Sequence, residues 1–159
     1  MMFREMMRKN KQLPREECIR LLQTEKRGVL SVLGDHGYPY GMPMNHWYDP
    51  ETDRIYFHCG KAGHRLDALK THSKVSFCIF DEGSRASDHW ALTFKSVIAF
   101  GTVKVLDDRE QIIRIATALS HKFTSDDAYI QSEIEKYAKG TLLLEMTVEH
   151  ISGKQVEES

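Results

Sequence analysis

The residues best equipped for chemistry stand together in Phe57-His58-Cys59-Gly60-Lys61-Ala62-Gly63-His64-Arg65. The apolar run 55–58 reads as a strand, two glycines let a backbone approach a ligand closely, and residues 63–71 continue with helical spacing, Leu66 and Leu69 turned inward. A helix beginning there points its free amides outward, and Lys61, His64 and Arg65 set three potentially cationic side chains around its start. Cations sit poorly at a helix N-terminus, whose dipole favours anions, so a bound phosphate relieves the mismatch. Each charge-assisted hydrogen bond contributes about 1.5–3 kcal/mol to such a site, and the helix terminus about 0.3–1 kcal/mol. The segment predicts a phosphate cradle dominated by Arg65 and Lys61, against the plainer reading of a solvated basic surface.

Other groupings carry less. His58, Cys59 and His64 lack a fourth donor at the spacing a zinc site needs, so no metal is expected. There is no G-x-S-x-G elbow, and Ser120-His121 reads as helix surface, which leaves hydrolysis without support. Cys18, Cys59 and Cys78 are odd in number, widely spaced and without a C-x-x-C pair, as expected of reduced and mostly buried thiols. His46, Trp47 and Tyr48 read as barrel packing or dimer contact, and His89-Trp90, after a polar loop, as the border of a pocket. With 22 Lys+Arg against 23 Asp+Glu, no nucleic acid and no anionic membrane is expected as a partner. Residues 1–11 alternate Met with charged residues and contain neither a signal-peptide core nor a span, so a cytoplasmic location is expected.

The cradle needs elements to hold it. At 159 residues the chain fits a single domain, 1–159, with residues 1–13 as a flexible leader whose methionines could offer a contact surface. Pro14 opens a short helix that runs to about residue 24, and Gly28 ends the helical pattern. Strand texture then fills 29–33, 38–48 and 55–58, separated by turns at 34–37 and 49–53. Beyond the helix at 63–71 come strand 75–80, a polar loop 81–88 and a long strand 92–106, in which Gly101 suggests a bulge. Asp107 with Glu110 forms a capping box for a helix carrying Ile112, Ile115, Ala116, Leu119 and Phe123. Ser125 caps another to Lys139, and Leu142, Leu144, Met146 and Val148 alternate along a last strand. Six mainly antiparallel strands with inserted helices close best into a small barrel, which removes exposed edges; an open α+β sheet is the alternative.

In order and spacing, several blocks resemble the pyridoxamine 5′-phosphate oxidase-like superfamily of FMN-binding split barrels, and within it the nitroimidazole-resistance type of flavoprotein. The blocks are Gly37-Tyr38-Pro39-Tyr40, Met42-Pro43-Met44-Asn45, Ile55-Tyr56-Phe57-His58, Gly63-His64-Arg65-Leu66-Asp67-Ala68-Leu69, Lys74-Val75-Ser76-Phe77 and the run from Ser96-Val97 to Gly101. The likeness covers roughly residues 26–106, with a weaker echo in 145–154. It implies a six-stranded split barrel that forms a homodimer with FMN in a cleft lined by both subunits. It also implies that Met42, Pro43, Met44 and Asn45 lie along the flavin, and that Phe57, His58, His64 and Arg65 meet the ribityl phosphate. Lys95 and Ser96 match the segment that reaches the cofactor from the long strand.

The chain departs from the pyridoxamine phosphate oxidases themselves. Met42 stands where they carry a phosphate-binding Arg, and His64-Arg65 where they carry an Arg-Lys pair, with Lys61 able to compensate for the lost charge. The carboxyl end, Ile151-Ser152-Gly153-Lys154 and an acidic tail, lacks their Trp- and Arg-containing segment, so vitamin B6 oxidation is not expected. What the resemblance implies is an FMN-dependent oxidoreductase that passes electrons to a small electron-poor acceptor, with a nicotinamide as a candidate donor and His64 as a candidate proton donor. A non-enzymatic flavin- or haem-binding module, or a deazaflavin in place of FMN, are the alternatives.

Overall fold

The computed structural model describes residues 2–88 and 90–158, and a single antiparallel sheet organises them. In chain order the elements are α1 (Arg15–Thr24), β1 (Arg27–Leu33), β2 (Pro39–Asn45), β3 (Trp47–Asp49), β4 (Arg54–Gly60), α2 (His64–Thr71) and β5 (Lys74–Phe80). They continue with β6 (Leu92–Leu106), α3 (Arg109–Ser120), α4 (Asp127–Tyr137) and β7 (Thr141–Glu158). The strand order is β2-β1-β5-β6-β7-β4-β3, and the sheet curls into the split barrel anticipated above.

Period-two alternation decides what this barrel encloses. Leu30 lies opposite both Met42 and Phe77, and Phe77 opposite Ala99, forming a buried row across four strands. One residue along, Val29 lies opposite Pro43 and Cys78, and Cys78 opposite Ile98, and this row faces outward. Cys18, Leu21 and Leu22 of α1 join the enclosed core. A second, smaller core forms on the outer side of β4 and β7, where Ile112 and Ile115 of α3 pack on Tyr56 and Leu143.

Several elements differ from the sequence expectations. The expected strand 38–48 breaks at His46, which creates β3 and makes seven strands instead of six. Gly28 belongs to β1 and does not end α1; a Cβ there would come within 2.4 Å of the Cys78 carbonyl oxygen. The caps fall one residue later than expected, with Asp108 accepting from the Gln111 amide and Asp126 from the Tyr129 amide. The last strand continues to Glu158 because the carboxyl-terminal residues pair with 92–100 of β6, and the expected Gly101 bulge appears as a register shift between Phe100 and Gly101. The leader lies against the sheet: the Leu13 amide donates to the Gly153 carbonyl, and the Phe3 ring stacks on His150 with centroids 4.8 Å apart. Trp90 is exposed on the loop before β6, and His89, expected beside it at a pocket, falls outside the described residues.

His46 marks the break between β2 and β3 because its bonds are long-range. The fully buried imidazole donates from Nε2 to the Leu22 carbonyl at 2.8 Å and meets the Phe77 ring edge-on. Lys122, from the turn after α3, donates to the carbonyls of Glu25 and His46 at 2.6 and 2.8 Å. Burial first, and the nearby Lys122 charge second, hold the His46 pKa down to about 3. Between pH 6.5 and 3 the unfolded chain therefore takes up a proton that the folded one refuses, and stability falls as pH falls, by at most about 1.4 kcal/mol per unit from this group. Urea unfolding at pH 6.5, 5.5 and 4.5 should show that loss, and His46→Gln should flatten it. His58, whose pKa is also lowered, leaves a residual slope of the same sign. An unchanged slope in His46→Gln would assign the acid sensitivity elsewhere.

Candidate functional site

The cradle forms where β4 hands the chain to α2. Gly63 adopts φ +134, a conformation that L side chains rarely enter, and so turns the loop into the helix. The first helical bond runs from the Asp67 amide to the Gly63 carbonyl. The amides of His64, Arg65 and Leu66 lie ahead of it without a side-chain cap. A Cβ placed on Gly60 or Gly63 would meet no atom within 4 Å, so there is open space on this side of the loop.

Arg65 is half-buried at this opening. Its Nε donates to the Met42 Sδ at 3.0 Å, and its charge acts on the Cys59 thiol. A thioether sulfur is a weak acceptor, and among the described residues Arg65 makes no ion pair. Burial pushes the Cys59 thiol pKa up while Arg65 opposes the shift, so this contact does not neutralise the guanidinium with a thiolate. A half-buried cation bonded among the described residues to one sulfur, beside uncapped helix amides and open space, suits an anion bearing several acceptor oxygens. His64 lies one residue away, its ring stacked on Tyr40 with centroids 4.1 Å apart and its Nε2 3.7 Å from Asp35. Lys61 is exposed on the loop.

The remaining residues singled out in the sequence divide between other faces. Cys59 points into the barrel, so alternation turns His58 to the opposite side of β4. There it edges a recess of about 170 Å³ with Ile112, Ala116, Ile134 and Tyr137 of the two long helices. The crowding around the imidazole, then the Arg65 charge, lower the His58 pKa and favour the neutral ring. Phe57 is wholly buried and serves the core. Met42 and Met44 point inward, whereas Pro43 is exposed and Asn45 accepts from Arg27 Nε at 3.1 Å.

Pro43, Val29 and Phe80 line an open groove of about 800 Å³. Ser96 lies opposite Phe80, three residues along β5 from Phe77, whose row contains Met42, or about 10 Å at about 3.4 Å per residue. Lys95, beside it, pairs with Glu17 of α1. Arg20 and Lys95 together hold that carboxyl down to about 2. Within one chain, then, Arg65, His64 and the α2 amides come together, and Lys95 and Ser96 do not join them. Sequence reasoning missed Tyr40 and the helical wall beside His58; the first was accessible, since Tyr40 lies two residues before Met42 on the same strand face.

The profile of the pyridoxamine 5′-phosphate oxidase family matches residues 14–155. The chain belongs to that family. No curated protein matches it in sequence. Among solved structures, a candidate 5-nitroimidazole antibiotic resistance protein of Bacteroides thetaiotaomicron is similar with a TM-score of 0.80 at 17% identity, covering 92% of this chain and 87% of that one. A conserved hypothetical protein of Mycobacterium tuberculosis gives 0.78 at 15%, covering 94% and 90%. An FAD and heme binding protein of Mycobacterium smegmatis gives 0.71 at 21%, covering 91% and 72%. At these identities the likeness is one of fold.

The cradle rests on the backbone at Gly63. Gly63→Ala should destabilise the protein by about 1–3 kcal/mol through strain alone, because its Cβ has room. Gly60→Ala, equally roomy and without a positive φ, should change stability by about 0.5 kcal/mol or less. Equal urea midpoints for the two variants would contradict this account of the loop.

Proposed function

We propose that this chain is an FMN-dependent oxidoreductase that works as a homodimer and reduces a small electron-poor acceptor, such as a nitro compound, in the cytoplasm. The observation that carries the reading is Arg65, a half-buried guanidinium at the open start of α2 whose hydrogen-bond partner among the described residues is the Met42 sulfur. Arg65, Lys61 and the first α2 amides hold the phosphate, and Pro43 and Asn45 present the outward side of β2 to the ring. Family membership and the fold-level likeness to proteins described as FAD and heme binding, and as nitroimidazole resistance, support the same choice. FMN, when bound, supplies the electron transfer, so the chain needs no nucleophile. Its own residues bind and orient, with His58, kept neutral, and His64 as the imidazoles able to hold or move a proton. The electron donor in this reading is a nicotinamide.

The homodimer is supported by the outward row of the sheet. Val29, Leu33, Phe80, Ile98 and Phe100 are exposed on or beside one continuous face, which a second copy would cover. In such a pair Lys95 and Ser96, which make no contact with Arg65 or His64 of their own chain among the described residues, are residues offered to the partner's cofactor. Sedimentation of dilute protein should show a dimer, and Phe80→Lys with Ile98→Lys should yield monomers. A wild-type monomer that holds FMN tightly would remove the shared-site part of the reading.

Titration with FMN and riboflavin tests the cradle. FMN should bind more tightly, and Arg65→Ala should weaken FMN alone by roughly 1.5–3 kcal/mol, the range for a lost charge-assisted hydrogen bond. Anaerobic mixing of the reduced holoprotein with a nitroimidazole or a quinone should reoxidise the flavin faster than free flavin reacts. No acceleration with either would leave a binding module, whose absorption spectrum would tell flavin from haem.

A further inference from the structure

The first two side chains of α2 rest on one face of β2. His64 lies on the Tyr40 ring, at 4.1 Å between centroids and 25° between planes. Arg65 lies on the Met42 thioether, at 3.0 Å from Nε to Sδ. Tyr40 and Met42 are two apart on a strand, so their side chains share a face, while His64 and Arg65 are consecutive on the helix. Tyr40 is half-buried and Met42 buried, so neither platform is free to follow a moving partner. Long cationic side chains lose much rotamer freedom on binding an anion, and a contact that limits it beforehand lowers that cost. Sulfur is well suited to this role, because it accepts a weak hydrogen bond and orients Arg65 without the charge of a carboxylate, which would compete with a phosphate.

We infer that Tyr40 and Met42 are positioning residues for phosphate recognition, β2 acting as the platform that aims His64 and Arg65 at the anion. The inference rests on the FMN reading above and adds the residues that set its selectivity for the phosphorylated flavin. Asp35, 3.7 Å from His64 Nε2 in the β1–β2 turn and mostly exposed, has a secondary part in holding the ring.

The test is the ratio of riboflavin to FMN dissociation constants, measured by quenching of flavin fluorescence on wild type, Tyr40→Leu, Tyr40→Phe and Met42→Leu. Tyr40→Leu and Met42→Leu should each weaken FMN roughly 5- to 30-fold and leave riboflavin unchanged, lowering the ratio, whereas Tyr40→Phe keeps the stack and the ratio. Thermal unfolding of the same samples separates loss of fold from loss of aim, since Tyr40→Phe and Met42→Leu preserve volume. Unchanged ratios in both leucine variants, or equal weakening of FMN and riboflavin, would overturn the positioning role while leaving the cradle in place. If the wild type itself does not prefer FMN to riboflavin, the phosphate reading fails first and the inference falls with it.

Discussion

The constraint on which everything else depends is the antiparallel register of β1 with its two neighbours. It puts Leu30, Met42 and Phe77 in one row and Val29, Pro43 and Cys78 in the next. A slip of one residue would exchange the two rows, because side chains alternate across a sheet with a period of two. The enclosed row builds the core, and at its open end the same face of β2 supplies Tyr40 and Met42 to the first turn of α2. The outward row stays uncovered and supplies the face assigned to a second copy. Core, cradle and candidate interface are thus consequences of one pairing.

Much of this was legible because it follows from local chemistry. The long strand 92–106 with Gly101 inside it announces both its extent and its bulge, since a residue without a Cβ is needed where β7 crowds it. The helix start at residues 63–64 was legible from Gly63 and from the cations after it. What escaped depends on partners distant in sequence. No local signal separates residues 38–45 from 47–49: the break comes from a His46 bond to the Leu22 carbonyl, 24 residues away. The polar residues after Val148 do not read as strand, yet β6 offers them a ladder and they take it. The facing of His58 and Cys59 was equally hidden, because alternation tells that they differ and not which of them faces the core.

The buried polar cluster at the other end of the barrel serves the same architecture. Lys122 donates to two carbonyls, one just past α1 and one at the β2–β3 break, and so ties the turn after α3 to the end of α1. Burial lowers its pKa to about 8, against the opposing charge of Glu25. Among the described residues the His46 Nδ1 finds no partner, which is costly in a core and fixes the tautomer with its proton on Nε2. The cluster holds Asn45 and the outward end of β2 at a fixed distance from α1, leaving the opposite end of the same strand to carry Tyr40 and Met42.

Strand β4 divides the chemistry that the site can perform. On its barrel side Cys59 and Met42 cushion a guanidinium that carries charge and no proton to give, since an Arg stays protonated at any ordinary pH. On its outer side the His58 pKa is lowered by crowding first and by that same guanidinium second, and the ring faces a recess walled by α3 and α4. A group that holds charge and a group that can exchange a proton are therefore separated by one backbone, close enough for the first to tune the second.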